Sequence, residues 1–151
     1  MPAFKSYIPI QVRYGDIDPQ WHVNHTRFLT YMEHARMTYM VERGLFDGRS
    51  FFDFKLILAD LHISYLAPIF ALQKVKVGMR VARLGTKSLD IHYQVEDEVG
   101  GSVLAKAETI MVMFDYHINA SLPVPSLWRE RISEFEGIPP GPTPAPFRKF
   151  Q

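Results

Sequence analysis

The order of apolar and polar residues divides the chain into stretches of two different periods. Over 6–14, Ile8, Ile10, Val12 and Tyr14 alternate with Tyr7, Pro9, Gln11 and Arg13, the period-two pattern of a half-buried strand. Beyond a polar turn the spacing changes. Phe28, Met32, Ala35 and Tyr39 recur at helical intervals, which predicts a long helix with Asn24 as N-cap, an end near Arg43 and Gly44 as its stop. Leu29, Tyr31, Met37, Met40 and Val41 widen its apolar surface, leaving Arg27, Thr30, His34 and Thr38 as the polar stripe. A helix apolar around most of its circumference is wrapped rather than merely docked.

The remainder reads mainly as strand. Residues 55–69 mix β-branched and large apolar side chains, with Pro68 near the end. Val75, Val77, Met79 and Val81 alternate with charged or small residues, and Leu89, Ile91, Tyr93 and Val95 do the same after a turn at Gly85-Thr86-Lys87. Gly100-Gly101 marks a hairpin before a last strand over 102–116. Ser126 is placed to cap a short helix with Leu127, Trp128, Ile132 and Phe135 inward and Gly137 as its stop. The order predicts an α+β domain over 1–137, one long helix buried against a curled antiparallel sheet. Five of the eleven prolines fall at Pro139, Pro140, Pro142, Pro144 and Pro146, so 138–151 is expected to be a flexible tail.

Composition narrows the chemistry. A chain of 151 residues with 47% hydrophobic content makes one domain with a proper core. With no cysteine, disulfides, thiolate metal sites and a cysteine nucleophile are excluded. Seventeen basic against sixteen acidic residues leave a formal charge of +1, no footprint for nucleic acid. No apolar run reaches the roughly 20 residues of a membrane span, and no signal-like segment follows Met1, so a cytoplasmic protein without membrane partners is expected.

The densest group of functional side chains is 15–25, Gly-Asp-Ile-Asp-Pro-Gln-Trp-His-Val-Asn-His, between a strand end and a helix start. Unpaired N–H groups at a helix N-terminus carry partial positive charge and hold a developing oxyanion. A carboxylate just upstream is placed to attack a carbonyl held there, or to deprotonate the water that attacks it. The chemistry this suggests is acyl transfer to water.

Val12-Arg13, Asp16, Asp18, His22-Val23-Asn24, Phe28-Leu29, Tyr31, Glu33 and Ala35-Arg36 together resemble the hotdog-fold acyl-CoA thioesterases of the 4-hydroxybenzoyl-CoA thioesterase family. The likeness continues through Tyr65, Pro68 and Arg83-Leu84-Gly85-x-Lys87-Ser88, as far as about Glu136. It implies a hotdog fold, a long central helix wrapped by a curled antiparallel sheet, and hydrolysis of an acyl-CoA to free acid and CoA without a cofactor or metal. It also implies a homodimer or homotetramer with sites between subunits. Asp18 matches the family's catalytic carboxylate, and His25 matches the residue whose backbone N–H polarises the carbonyl. His22 matches a residue given a catalytic role in related acyl carrier protein thioesterases. Two positions depart from the pattern: Trp21 replaces a glycine and His25 a second asparagine. A tryptophan there is expected to constrict the pocket or wall an acyl chain.

The plainer readings are kept beside these. Asp-Pro is a common turn former, Asp16 suits backbone hydrogen bonding, and His22 suits a bond to the turn. His22 and His25 have a possible metal-ligand spacing, but a further ligand is not identifiable. Asn24 serves as an N-cap, and is also counted with Trp21 among substrate-binding candidates. Glu33 and Arg36 form a helical ion pair, and Met32, Met37 and Met40 are core. For the phosphates of CoA the basic candidates are Arg80, Arg83 and Lys87, with Arg148 and Lys149 in the tail. The competing functions are a non-hydrolytic acyl-CoA-binding hotdog protein and a hotdog acyl-thioester dehydratase or hydratase.

Overall fold

A computed structural model of the protein, describing residues 3–146, runs from β1 (Ser6–Ile10) through a 3-10 turn at Tyr14–Asp16 into α1 (His25–Glu42). A second 3-10 turn at Phe51–Asp53 precedes β2 (Leu56–Tyr65), β3 (Val75–Leu84), β4 (Ser88–Asp97) and β5 (Val103–Asp115). The two-residue β6 (Ala120–Ser121) and α2 (Ser126–Glu136) complete the order. One antiparallel sheet has the strand order β1-β3-β4-β5-β2, with β6 paired to the end of β5. The result is the α+β arrangement expected from the periodicity: a curled antiparallel sheet with α1 packed on β1 and β3.

Helix α1 forms as its pattern requires. Phe28, Met32, Ala35 and Tyr39 are all buried, joined by Tyr31 and Met40. Asn24 caps the helix by accepting the Thr26 N–H at 2.9 Å, and Gly44 takes φ +70° just past its end, a left-handed conformation that glycine adopts without a Cβ clash. Val77, Met79, Val81, Leu89, Ile91, Tyr93 and Val95 supply the sheet's side of the core.

Several boundaries differ from expectation. The first strand stops at Ile10, not Tyr14, because the Asp16 carboxylate accepts the Arg13 N–H at 3.0 Å and bends the chain out of the sheet. The second strand ends at Tyr65, not 69: the Leu66 and Ala67 N–H groups both turn to the Leu104 carbonyl, and Pro68 has no N–H to donate. Ser126 is the first residue of α2 rather than its cap, Pro125 holding the cap position, and Leu127 points to solvent. The turn at Phe51–Asp53 and strand β6 have no counterpart in the sequence pattern.

The proline-rich tail makes specific contacts. Over 138–146 it is irregular but pinned. The Ile138 carbonyl accepts from Ser133 Oγ, the Pro140 carbonyl from Arg129 at 3.1 Å, and Thr143 N–H donates to the Leu84 carbonyl at 2.8 Å. Arg83 closes the set. Its guanidinium spans the buried Asp90 carboxylate at 2.8 and 3.0 Å and donates to the Thr143 carbonyl at 2.6 Å. Over this part, the segment expected to be a flexible tail makes defined contacts, its carbonyls accepting from Arg83, Arg129 and Ser133. Arg148 and Lys149 lie outside the described residues.

At the other end of α1, the buried Tyr39 hydroxyl donates to Glu136 Oε1 at 2.9 Å. Burial pushes the Glu136 carboxyl above its ordinary value, against the opposing pull of the Tyr39 hydrogen bond.

These contacts have measurable consequences. The folded protein binds the Glu136 proton more tightly than the unfolded chain, so this contribution is complete below the ordinary glutamate range and is lost as pH rises through the raised value. Between about pH 4 and about pH 7, the melting temperature of wild type should therefore fall relative to that of Glu136→Gln, which does not titrate; a gap moving the other way contradicts it. Replacing Arg83 by Met leaves Asp90 as an unpaired buried charge, at a cost of about 3–5 kcal/mol. Denaturant unfolding should register that loss, and limited proteolysis should cut the variant within 138–146 faster than wild type.

Candidate functional site

Two carboxylates shape the turn that leads into α1. Asp16 Oδ2 accepts the Tyr31 hydroxyl at 2.6 Å as well as the Arg13 N–H, and its Oδ1 lies 3.7 Å from Arg27 Nε. The Asp16 carbonyl takes the Asn24 N–H at 2.8 Å. Burial first, and then the Asp16 hydrogen bond, push the Tyr31 phenol well above its usual range, so it remains a donor. Asp16 thus clamps the turn onto α1, in keeping with its structural reading.

Asp18 is held differently. The Gln20 N–H donates to Oδ1 at 2.8 Å, and Asn24 Nδ2 donates to Oδ2 at 3.2 Å. Each oxygen has a single bond of this kind and keeps a further lone pair. The half-buried carboxylate opens on a cavity of about 340 Å³, shared with His22, His25, Phe28, Tyr65 and Leu66. The cap residue therefore does two things with one amide. Asn24 Oδ1 accepts from Thr26 at the helix start, and Nδ2 orients the carboxylate. Both ends of the Asn24 side chain are engaged within the chain, and Asn24 is not among the residues lining the cavity.

His25 is the first helical residue, and its N–H has no intrahelical acceptor. Its carbonyl takes the Tyr65 hydroxyl at 3.0 Å, and its exposed ring meets the Tyr65 ring edge-on at 6.0 Å. Tyr65 also packs edge-on against Phe28 at 5.1 Å. It fixes the helix start from the end of β2, a part the sequence signals only as a weak continuation of the motif. His22 lines the same cavity. Its carbonyl accepts the Asp18 N–H at 3.1 Å, and its ring Nδ1 has only a long 3.4 Å approach to the Val23 carbonyl. Among the described residues, no three histidine or acidic side chains converge as a metal-binding group.

The basic candidates are elsewhere. Arg80 lies on the far face of the sheet, 3.1 Å from His92 Nδ1, beside a separate cavity. Arg83 is committed to Asp90 and the tail, and Lys87 reaches Ser121 Oγ at 3.2 Å. None of the three lines the Asp18 cavity, and neither does any other lysine or arginine among the described residues. Trp21 is not among the residues lining the cavity: its ring is exposed, and its backbone is left-handed at φ +69°. That conformation costs an ordinary residue about 1–2 kcal/mol.

The fold and this site can be set beside known proteins. A model of the thioesterase-like superfamily matches residues 12–134. The long-chain acyl-CoA thioesterase FadM of Escherichia coli K12 is 23% identical over 125 residues, covering 83% of this chain and 95% of that protein. A thioesterase of Thermus thermophilus, solved with coenzyme A and Zn, superposes with a TM-score of 0.79 at 34% identity, covering 92% of this chain and 100% of that one. The 1,4-dihydroxy-2-naphthoyl-CoA thioesterase Slr0204 of Synechocystis shares the fold, with a TM-score of 0.76 at 22% identity over 85% of this chain and 95% of its own. No helix among the described residues is long and apolar enough to cross a membrane. Matched over most of its length, with the carboxylate turn and the helix start inside the match, the chain belongs to the thioesterase-like superfamily and is a thioester hydrolase.

Proposed function

We propose that the cavity beside Asp18 cleaves an acyl-CoA to free acid and CoA. The observation that carries this reading is the Asp18 carboxylate, oriented by Gln20 and Asn24 at the mouth of the cavity that the N-terminus of α1 also reaches. The thioester carbonyl oxygen takes the His25 N–H, whose helix end favours the negative charge that develops there. Sulfur donates little electron density to the carbonyl, so the carbon is electrophilic enough for a carboxylate or an activated water. Asp18 then acts in one of two ways. As nucleophile it adds to the carbonyl and expels the CoA thiolate, and water hydrolyses the mixed anhydride. As general base it takes a proton from water, whose oxygen adds before the thiolate leaves. His22, on the same wall, is the second catalytic candidate.

CoA as the leaving group is supported by the Thermus thermophilus relative solved with coenzyme A. The hotdog arrangement, with α1 as the central helix and the site at a subunit boundary, is part of the same reading. It is supported by the outer edge of β2, which among the described residues pairs only with β5 and exposes Leu58. Two copies joined along that edge form the homodimer, and two dimers a tetramer.

Thiol release from a panel of acyl-CoAs tests the reading. Wild type should release CoA, and Asp18→Asn should lose about 10²- to 10⁴-fold in kcat, the usual worth of such a group, with little change in melting temperature. Asp16→Asn is the control. It weakens the clamp on Arg13 and Tyr31 and should lose about 1.5–3 kcal/mol of stability. Full activity in Asp18→Asn rejects the mechanism. Light scattering should return at least twice the chain mass, and a monomer overturns the β2 pairing.

A further inference from the structure

Three non-glycine residues among those described have positive φ: Trp21 at 69°, Leu72 at 65° and Asn119 at 52°. Asparagine tolerates that region through its short polar side chain, whereas tryptophan and leucine do not. Trp21 closes the turn that begins at Asp18, its N–H donating to the Asp18 carbonyl at 2.9 Å. Leu72 sits in the turn closed by the Gln73 N–H and the Phe70 carbonyl at 3.2 Å. The two turns belong together. His22 and Phe70 form an isolated antiparallel bridge, and the Val23 N–H reaches the Ile69 carbonyl at 2.7 Å.

Neither residue gains burial in return for its strain. Trp21 is 83% exposed and Leu72 92% exposed, and Phe70 and Leu66 on the same chain segment are exposed by more than half. Trp21 stands between Gln20 and His22, which both line the Asp18 cavity, and Leu66 lines it directly. The strain and the uncovered apolar area thus coincide at the rim of one site. Strain of this kind persists where the surrounding structure enforces it, and it clusters at ligand contacts. The cavity, at about 340 Å³, is at the small end of the range of about 300–1,000 Å³ for small-molecule sites. It has room for the thioester and the first part of an acyl group. A longer chain must continue over the rim, where Trp21, Leu66, Phe70 and Leu72 expose apolar area.

We propose that Trp21, with Leu72, is a chain-length determinant: the distal part of a long acyl chain lies against this apolar lip, so the enzyme favours long over short acyl-CoAs. The inference rests on the thioesterase reading of the same cavity. It gives the tryptophan a role outside the reacting centre, and it explains how a position suited to glycine holds the largest side chain. Each methylene covered from water is worth roughly a three- to fourfold preference.

Trp21→Gly is a suitable probe because glycine adopts the same φ without strain, so the variant keeps its turn and its melting temperature should rise. The ratio of kcat/KM for hexadecanoyl-CoA to that for butanoyl-CoA should fall about 10- to 50-fold, the loss of two or three covered methylenes, carried mainly by KM. Trp21→Phe should restore part of the ratio. An unchanged ratio overturns the proposal. So does an equal loss on both substrates, which would place the indole against CoA instead. A second readout does not depend on turnover. The chain has two tryptophans, and Trp128 is buried, so Trp128→Phe leaves Trp21 as the reporting indole. Its emission should shift to the blue with a non-hydrolysable hexadecyl thioether of CoA and stay fixed with CoA alone. If wild type cleaves no acyl-CoA, the hydrolytic assignment of the cavity fails. The emission experiment then still decides whether the lip holds an acyl chain: a shift supports it, and no shift refutes it.

Discussion

One side-chain amide joins the fold to the chemistry. Asn24 closes the N-terminus of α1 with its oxygen and holds the Asp18 carboxylate with its nitrogen. A helix start leaves its first N–H groups unpaired, and the cap satisfies that of Thr26, while His25, the first helical residue, lines the cavity. The same residue thereby sets the distance between a negative group and the positive end of a helix. Moving either one moves both. Asp16 reinforces the arrangement from the other side, because its carbonyl accepts the Asn24 N–H while its carboxylate is tied to Tyr31 on the second turn of α1. The catalytic candidate is therefore placed on a loop that has been given the rigidity of a helix.

The parts legible in the sequence are those set by periodicity and local chemistry. The helix over α1, its Asn24 cap and its Gly44 stop follow from a repeating apolar face and two residues with narrow roles. The strands β3 and β4 follow from clean alternation. Asp18, His22 and His25 stand out together because they lie within eight positions of one another, and the chain brings them to one cavity by local turns alone.

What is not legible depends on contacts between distant segments. Nothing near Tyr65 shows that its hydroxyl will meet a carbonyl forty residues earlier. Arg80, Arg83 and Lys87 suit phosphate binding by charge, yet Arg83 is consumed by Asp90 and the proline-rich segment. Composition does not show the contacts of that segment. Proline removes donors but not acceptors, and the segment's Thr143 and Pro140 carbonyls are the groups that Arg83 and Arg129 use. The left-handed backbone at Trp21 is equally hidden, since the residue type argues against it and only the closed turn imposes it.

The two edges of the sheet are unlike. β1 is five residues long and contains Pro9, which cannot donate a hydrogen bond outward, so it is a poor template for another strand. β2 is ten residues long, with a bulge between Leu58 and Asp60 that bends it and restricts the registers another strand can adopt. A sheet with one receptive border and one blunt border can grow in a single direction. In the proposed pairing of two copies along β2, only blunt borders face outward, and further strand-to-strand addition stops. The short proline-bearing first strand thus gives the sheet a border that resists running on into a fibre.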